Sequence, residues 1–94
     1  MLKAIVMKPV DNVATVVEEI SPGTEVVLAV GGDEKAVRVL DRIAFGHKFA
    51  TKDIKKGETI RKYGEVIGIA TRDIEAGRHV HIHNLESTRG RGDK

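Results

Sequence analysis

An internal repeat is the feature of this 94-residue chain that most restricts its fold. Residues 50–60 match residues 70–80 at an offset of 20, with five of the 11 positions identical and two more conservatively replaced. A shorter third copy, residues 19–26, keeps only an isoleucine, a glycine three residues later and a valine three residues after that. The isoleucine would anchor a turn in the core, the glycine would allow a positive φ, and the last apolar residue would start a strand. Two clear copies are too few for a solenoid, so the repeat predicts a compact β domain with repeated corners rather than a ligand-binding motif.

Apolar patterning elsewhere predicts further strands and one short helix. A short apolar run in residues 2–7 predicts a first strand, and an apolar run followed by alternating hydropathy in residues 25–43 predicts a hairpin. In residues 12–20, four apolar side chains recur at the i, i+3, i+4 and i+7 spacing of an α-helix. These four are Val13, Val16, Val17 and Ile20. We therefore predict a mainly β fold with one short α-helix near residues 12–20, capped by Asp11 or Asn12.

Composition narrows the classes of function. The chain has 16 Lys and Arg against 14 Asp and Glu, and the whole excess of +2 lies in residues 87–94. It has no cysteine, which removes disulfides, thiolate metal sites and a cysteine nucleophile. Two Phe, one Tyr and no Trp, with so small a net charge, argue against nucleic-acid binding, and no apolar stretch approaches the roughly 20 residues that span a membrane. We expect a cytoplasmic chain with one domain, residues 1–86, and a flexible basic tail, residues 87–94.

Three of the four histidines alternate along residues 79–83. If this segment is a strand, His79, His81 and His83 lie on one face, because successive side chains point to opposite sides. Imidazoles at this spacing can share a metal ion or act as acid and base near neutral pH. The alternative is a solvated polar face above an apolar one, with no chemical role.

Two other segments carry candidate binding groups. His47 and Lys48 follow a glycine and would be exposed at the start of a strand, where the alternative is an ordinary solvated loop. In the tail, Arg89 and Arg91 could clamp a carboxylate on a ligand or partner, since Arg binds carboxylates bidentately. The alternative for the tail is a disordered polar end. The sequence contains no Ser-His-Asp order, phosphate-loop pattern or paired carboxylates that would define an enzyme by themselves.

Several short blocks spread over nearly the whole chain carry a family pattern. They are Gly46-His47-Lys48, Asp53-Ile54, Gly57-Glu58, Lys62-Tyr63-Gly64, Ile67-Gly68 and Val80-His81-Ile82-His83-Asn84. Together they resemble the small N-terminal domain of altronate and galactarate dehydratases, which implies an SAF-type domain with a β-clip fold. The separate small subunit of sulfolactate sulfo-lyase is similar, and the Arg-Gly-Arg-Gly-Asp ending resembles the separate-subunit members.

The resemblance implies a small subunit that is inactive alone and acts with a large catalytic dehydratase-like subunit. The substrate would be a sugar acid or related hydroxy acid. A base would remove the proton alpha to its carboxylate while the beta group departs, with divalent iron in the complete enzyme. Outside this class, the chain would be a stand-alone carbohydrate- or carboxylate-binding module without catalysis.

The resemblance also implies roles for individual residues. Four residues would be catalytic, namely His47, Lys48, His81 and His83. Of these, His81 and His83 would also hold the metal, while His47 and Lys48 would face one cleft and hold substrate oxygens. Arg89 and Arg91 would grip the substrate carboxylate. His79 lies outside the motif and receives no specific role.

Overall fold

The computed structural model describes residues 3–6, 8–30 and 33–87, and the regular structure within them is entirely strand. The strands are β1 (Ala4–Ile5), β2 (Val13–Val16), β3 (Glu25–Val30), β4 (Asp33–Arg38), β5 (Lys48–Ala50), β6 (Thr59–Lys62), β7 (Glu65–Ala70), β8 (His79–Val80) and β9 (Leu85–Ser87). They form three antiparallel sheets, ordered β1-β2-β5-β8, β3-β4 and β6-β7-β9. The mainly β prediction and a hairpin within residues 25–43 are therefore confirmed, although its second strand ends at Arg38. Within the same ranges, no helix has the length and apolar character needed to cross a membrane.

The four-stranded sheet separates two hydrophobic cores. Because side chains alternate along a strand, Val13 belongs to one core while Ala14 and Val16 belong to the other. Phe49 on β5 is completely buried in the core that includes the β3–β4 hairpin. Its neighbour Ala50 lies in the second core, with residues of β6 and β7. Strands β2 and β5 are thus buried on both faces and form the centre of the molecule.

The α-helix predicted near residues 12–20 is wrong. Residues 13–16 form β2, which pairs with both β1 and β5, and a bend follows. Val13 and Val16 are buried because they face opposite cores, whereas Val17 is 40% exposed and interrupts the supposed helical stripe. Valine is stiff at its branched Cβ and fits a pleated surface better than a helix. A strand buried on both faces also reads as a continuous apolar run, which periodicity alone does not distinguish from a helix.

Asp11 and the following asparagine hold a distant hairpin turn instead of capping a helix. The β6–β7 turn is formed by Tyr63 and Gly64, both with positive φ, at 55° and 82°. The buried Asp11 carboxylate accepts hydrogen bonds from the backbone N–H groups of Tyr63 (3.0 Å), Gly64 (2.7 Å) and Lys8 (3.1 Å). The side chain of Asn12 accepts from Arg61 N–H at 2.8 Å. These contacts fix the β6–β7 hairpin to the segment that precedes β2.

The corner repeat is confirmed and has four copies. Each copy has a buried isoleucine, a glycine with positive φ three residues later, and a buried apolar residue that lies in a strand. The copies are Ile20/Gly23/Val26, Ile43/Gly46/Phe49, Ile54/Gly57/Ile60 and Ile74/Gly77/Val80. They pair through two antiparallel bridges, Ile20 with Ile43 and Ile54 with Ile74. At Gly77 any Cβ would collide with the carbonyl oxygen of Arg38, so this corner requires glycine for space as well as for φ.

The aspartates of the two clear copies, Asp53 and Asp73, each accept a hydrogen bond from the other copy's turn. Asp53 Oδ1 accepts a hydrogen bond from Ala76 N–H, and Asp73 Oδ1 accepts one from Lys56 N–H, both at 2.9 Å. Each aspartate therefore binds the turn of the other copy, and the exchange supports the bridge between the two isoleucines. The repeat has a structural role, as the pattern predicts.

The predicted division into residues 1–86 and 87–94 falls at the end of the last strand. Ser87 is the final residue of β9. The candidate residues Arg89 and Arg91 lie outside the described residues.

Candidate functional site: a histidine cluster beside a basic cleft

Two of the corners place the first pair of histidines side by side. His47 follows Gly46, and His79 is the first residue of β8, two residues after Gly77. Strands β5 and β8 pair with Phe49 opposite His79, so residues distant in sequence become neighbours. The Nδ1 atom of His47 lies 3.0 Å from the Nε2 atom of His79, which is a hydrogen bond between the rings. Both histidines are half-buried.

The other two histidines lie in a turn, so the condition of a strand through residue 83 is not met. Strand β8 ends at Val80, and Ile82, expected on an apolar face, is 81% exposed. The turn is held by the buried Asn84, whose Oδ1 accepts from His81 N–H at 3.0 Å and whose Nδ2 donates to His79 O at 2.8 Å. An asparagine that satisfies backbone groups locally competes with ladder bonds, which explains why pairing stops here.

All four imidazoles are nevertheless gathered in one cluster. The ring centroids of His47 and His81 lie 4.9 Å apart, those of His47 and His79 5.2 Å, and those of His79 and His81 5.5 Å. The ring of His83 lies 5.4 Å from that of His79. We call His47, His79, His81 and His83 the histidine cluster.

Three members of the histidine cluster are arranged so that they could hold one metal ion. One ring nitrogen each of His47, His79 and His81 lies within 4.8 Å of the others. Imidazole nitrogens are suitable ligands for divalent iron, zinc and related ions, and three of them leave further coordination positions open. Of the two predicted metal ligands, His81 belongs to this group and His83 lies beside it.

The surroundings favour the neutral form of two of these imidazoles. Burial lowers the pKa of His79, and the neighbouring imidazoles lower it further, against an opposing effect of Asp41. Burial also lowers the pKa of His81, together with the nearby charges of His47, Lys48 and His83. Neutral imidazole is the form that binds metals and accepts protons, so His79 and His81 are suited to both tasks near neutral pH.

Asp41 supports the cluster and was not identified from the sequence. Its Oδ2 accepts a hydrogen bond from His79 N–H, and its Oδ1 accepts one from Arg78, both at 3.0 Å. Burial raises the pKa of Asp41, but these two hydrogen bonds and the positive charge of Arg78 outweigh it and lower the pKa overall. The carboxylate therefore stays ionised and fixes the start of β8. Asp41 is 38 residues from His79, and no local motif connects the two.

Lys48 follows His47 but lies on the other face of the sheet from Phe49. It pairs with Thr15 on one side and Val80 on the other. It lines a cleft of about 410 Å³ together with Lys62, Tyr63, Glu65, Ile67, Leu85 and Ser87. We call this the lysine cleft. Burial lowers the pKa of Lys48, and the charge of Lys62 lowers it further. His47 belongs to the histidine cluster, and the lining of the lysine cleft does not include it.

The fold and these groups define a class: a small all-β domain, built on corner repeats, that presents clustered imidazoles beside a basic cleft. The sequence profile of the altronate/galactarate dehydratase SAF domain matches residues 2–88. The chain therefore belongs to the SAF domain family of altronate/galactarate dehydratases.

Individual relatives agree with this assignment. The chain is 43% identical over 86 residues, 92% of its length, to altronate dehydratase from Escherichia coli, of which the match covers 17%. It is 40% identical over 77 residues, 82% of its length, to altronate dehydratase from Bacillus subtilis, covering 15% of that protein. It is 43% identical over 51 residues to (2R)-sulfolactate sulfo-lyase subunit alpha from Chromohalobacter salexigens, which is 54% of each chain. The chain thus spans less than a fifth of the altronate dehydratases and about half of this sulfo-lyase subunit.

Proposed function

We propose that the chain is the small, SAF-domain subunit of an altronate/galactarate dehydratase-type lyase. It would act with a separate large catalytic subunit on a sugar acid or related hydroxy acid, and would be inactive alone. The observation that carries the proposal is the histidine cluster beside a half-buried lysine, in a domain of this family. Support for a second subunit comes from the relative named subunit alpha, because that name indicates a multi-subunit protein.

The chemistry proposed for these groups is the removal of a proton alpha to a carboxylate and departure of the beta group. The lowered pKa values of His79 and His81 favour neutral imidazoles. His83 lies outside the group of His47, His79 and His81 whose ring nitrogens could hold a metal ion. It is therefore our proposed proton-transfer residue. Lys48 would hold substrate oxygens and offset the negative charge that develops on the carboxylate side in the transition state.

Divalent iron is the proposed cofactor of the complete enzyme. The nitrogens of His47, His79 and His81 fit such an ion in number and spacing, and the lowered pKa values of His79 and His81 favour the neutral form that binds metals. Bound there, iron would polarise substrate oxygens and stabilise developing negative charge. Asp41 would keep His79 in place through its backbone N–H. Arg89 and Arg91, outside the described residues, are the proposed grip on the substrate carboxylate.

The alternative function is a stand-alone module that binds a carbohydrate or carboxylate without catalysis. It is favoured by one observation: Lys48 and Lys62 line a concave surface that would suit a carboxylate without any catalytic group. Saturable binding of a sugar acid by the chain alone, with no larger polypeptide retained on it from its host, would support this alternative.

The test of the main proposal is co-purification from the native host, followed by assay against hexonates, hexarates and sulfolactate. We expect a larger polypeptide to co-purify and the complex to eliminate water or sulfite, while neither part turns over alone. His83→Ala should lower kcat by about 10²- to 10⁴-fold, the usual contribution of a positioned proton-transfer group. The matched control is His83→Gln, which keeps size and polarity but cannot titrate.

Lys55→Gln, an exposed lysine at another corner, should leave turnover unchanged. Full activity of a His81→Ala, His83→Ala double variant would contradict the assignment of these residues.

A further inference from the structure

The lysine cleft is a concave surface in which two like charges face each other. Lys48 and Lys62 both line it, and the charge of Lys62 disfavours a second ammonium nearby. Lys48 is half-buried between its partners on β2 and β8. None of the ion pairs found within residues 3–6, 8–30 and 33–87 includes either lysine. With Glu65 as the acidic residue of the same lining, the two ammonium groups leave an excess of positive charge in a partly desolvated place.

The remaining lining gives the cleft a defined chemical character. Tyr63 contributes an aromatic ring, over which the Lys62 ammonium lies at 5.1 Å from the centroid, and Ser87 adds a hydroxyl at the end of β9. Ile67 and Leu85 supply an apolar wall. Glu65 is the acidic residue of the lining, so the two lysines leave an excess of one positive charge. Cations, hydroxyls and a short apolar wall match a small polar anion rather than a neutral or cationic ligand.

The walls of the cleft are rigid at the positions that carry these groups. Tyr63 is held at φ 55° by its backbone bond to the buried Asp11 carboxylate. The lysine at residue 62 precedes it on β6, and the stem of Lys8 packs over the neighbouring Gly64. Because a preorganised site loses little freedom on binding, a turn held in this way is suited to fix a ligand group.

The cleft also lies close to the histidine cluster. The charge of Lys48 acts on His81, and this coupling links the lysine cleft to the histidine cluster.

We propose that the lysine cleft is a carboxylate subsite, in which Lys48 and Lys62 bind a carboxylate of a small hydroxy acid and Tyr63 and Ser87 bind its hydroxyl groups. Lys62 and Tyr63 thereby become specificity-determining residues on the side of the domain opposite the Phe49 core. The identification of the ligand as the substrate rests on the proposed function, whereas binding of a carboxylate does not. Loss of the Lys62 ammonium would raise KM more than it lowers kcat.

The test is titration of the 94-residue chain with L-malate in buffer containing EDTA, followed by the amide signals in two-dimensional NMR spectra. Malamide, the neutral diamide of malate, is the uncharged control, and sulfate is the control for general anion binding. We expect saturable shifts at residues 48, 62–65 and 85–87 with malate and none with malamide. Sulfate should shift the same amides more weakly and without saturating over the same range.

Two variants and a control complete the test. Lys62→Gln should weaken malate binding by about 5- to 10-fold, as expected for loss of one charge-assisted contact, and Lys48→Gln by at least as much. Lys55→Gln removes the same charge elsewhere and should change nothing. The dispersed spectrum of each variant shows whether it is folded. Equal weakening by Lys62→Gln and Lys55→Gln, shifts confined to other residues, or equal binding of sulfate would overturn the proposal.

This result is separable from the proposed function. Malate binding at the cleft combined with no turnover in any co-purified complex would leave the subsite intact and contradict the lyase assignment. Turnover with no effect of Lys62→Gln on KM would support the lyase assignment and contradict the carboxylate subsite.

Discussion

At the scale of single residues, the histidine cluster depends on a side chain that contributes no imidazole. Asn84 is 4% exposed, and its amide bonds to the backbone of His79 and His81 hold the two in one turn. Asp41 does the same for the start of β8 through the N–H of His79. Outer partners of this kind set the orientation of ligating imidazoles. The function proposed for the cluster is therefore carried by more residues than the histidines themselves.

The first prediction tests whether His47, His79 and His81 bind a metal ion while His83 does not. Titration of the metal-free chain with Co²⁺, followed by its visible absorption, should show one site. His79→Ala should weaken Co²⁺ binding by more than about tenfold, because even the outer partners of a ligand are worth 10- to 100-fold. His83→Ala is the matched control and should leave binding nearly unchanged. Equal losses in the two variants, or absorption that never saturates, would rule out this ligand set.

At the scale of elements, the β6–β7 hairpin depends on a single carboxylate from outside it. Asp11 accepts three backbone N–H groups, two of them from the turn itself. A turn with two positive φ values is typical of a two-residue hairpin whose twist matches its strands, but a non-glycine residue at the first position is costly. The buried carboxylate offsets that cost and fixes one wall of the lysine cleft.

We therefore expect Asp11→Asn to lower the free energy of unfolding by about 2 to 4 kcal/mol, since an amide nitrogen would face a backbone donor in a buried place. Urea unfolding followed by circular dichroism measures the change. Asp53→Asn, which alters one exposed aspartate with a single N–H partner, should cost about 1 kcal/mol or less. Similar losses in the two variants would mean that the turn does not depend on Asp11.

The elements also show which parts of the fold a sequence can reveal. The corner repeat and the hairpin were predictable because glycine and apolar spacing act locally. The helix was mispredicted because β2 is buried on both faces, so Val13 and Val16 satisfy a helical spacing while serving two cores. The copy at Ile43 is less evident in the sequence because its buried strand residue is Phe49 rather than an aliphatic residue. Similarly, the alternation of His79 and His81 was informative, but the pairing with His47 depends on contacts distant in sequence.

At the scale of the whole molecule, charge and stability have different sources. Residues 1–86 carry 13 basic and 13 acidic side chains, so the net charge of +2 belongs to the last eight residues. The ion pairs found among the described residues lie at the surface, with side chains 36% or more exposed, where such pairs contribute little. Folding therefore relies on the two hydrophobic cores on either side of the four-stranded sheet.

The pH dependence of global stability follows from the histidine cluster. His79 and His81 have lowered pKa values in the folded chain, so below their usual pKa of about 6.5 the unfolded chain binds more protons and unfolding becomes easier. We expect the free energy of unfolding in EDTA to fall as pH decreases from 7.5 to 5. The lowered pKa of Asp41 affects stability only at lower pH, near and below its usual value of 3.8.

Urea unfolding at intervals of half a pH unit measures this slope. A His79→Asn, His81→Asn variant is the control and should flatten the dependence over this range, because asparagine does not titrate. A slope that persists in that variant would place its origin elsewhere in the chain.

The 3.0 Å approach of His47 to His79 has a consequence for how the chain folds. The two residues are 32 positions apart, so the pair exists only when the loop between them has closed, and the unfolded chain offers no equivalent. A ligand that bridges them cross-links the two ends of that loop, and its binding free energy adds to the stability of the folded domain. At a free concentration 100 times its dissociation constant, such a ligand would raise the free energy of unfolding by about 2.7 kcal/mol. Ligand binding at the histidine cluster and the thermal stability of the domain therefore rise together, because the same binding free energy contributes to both.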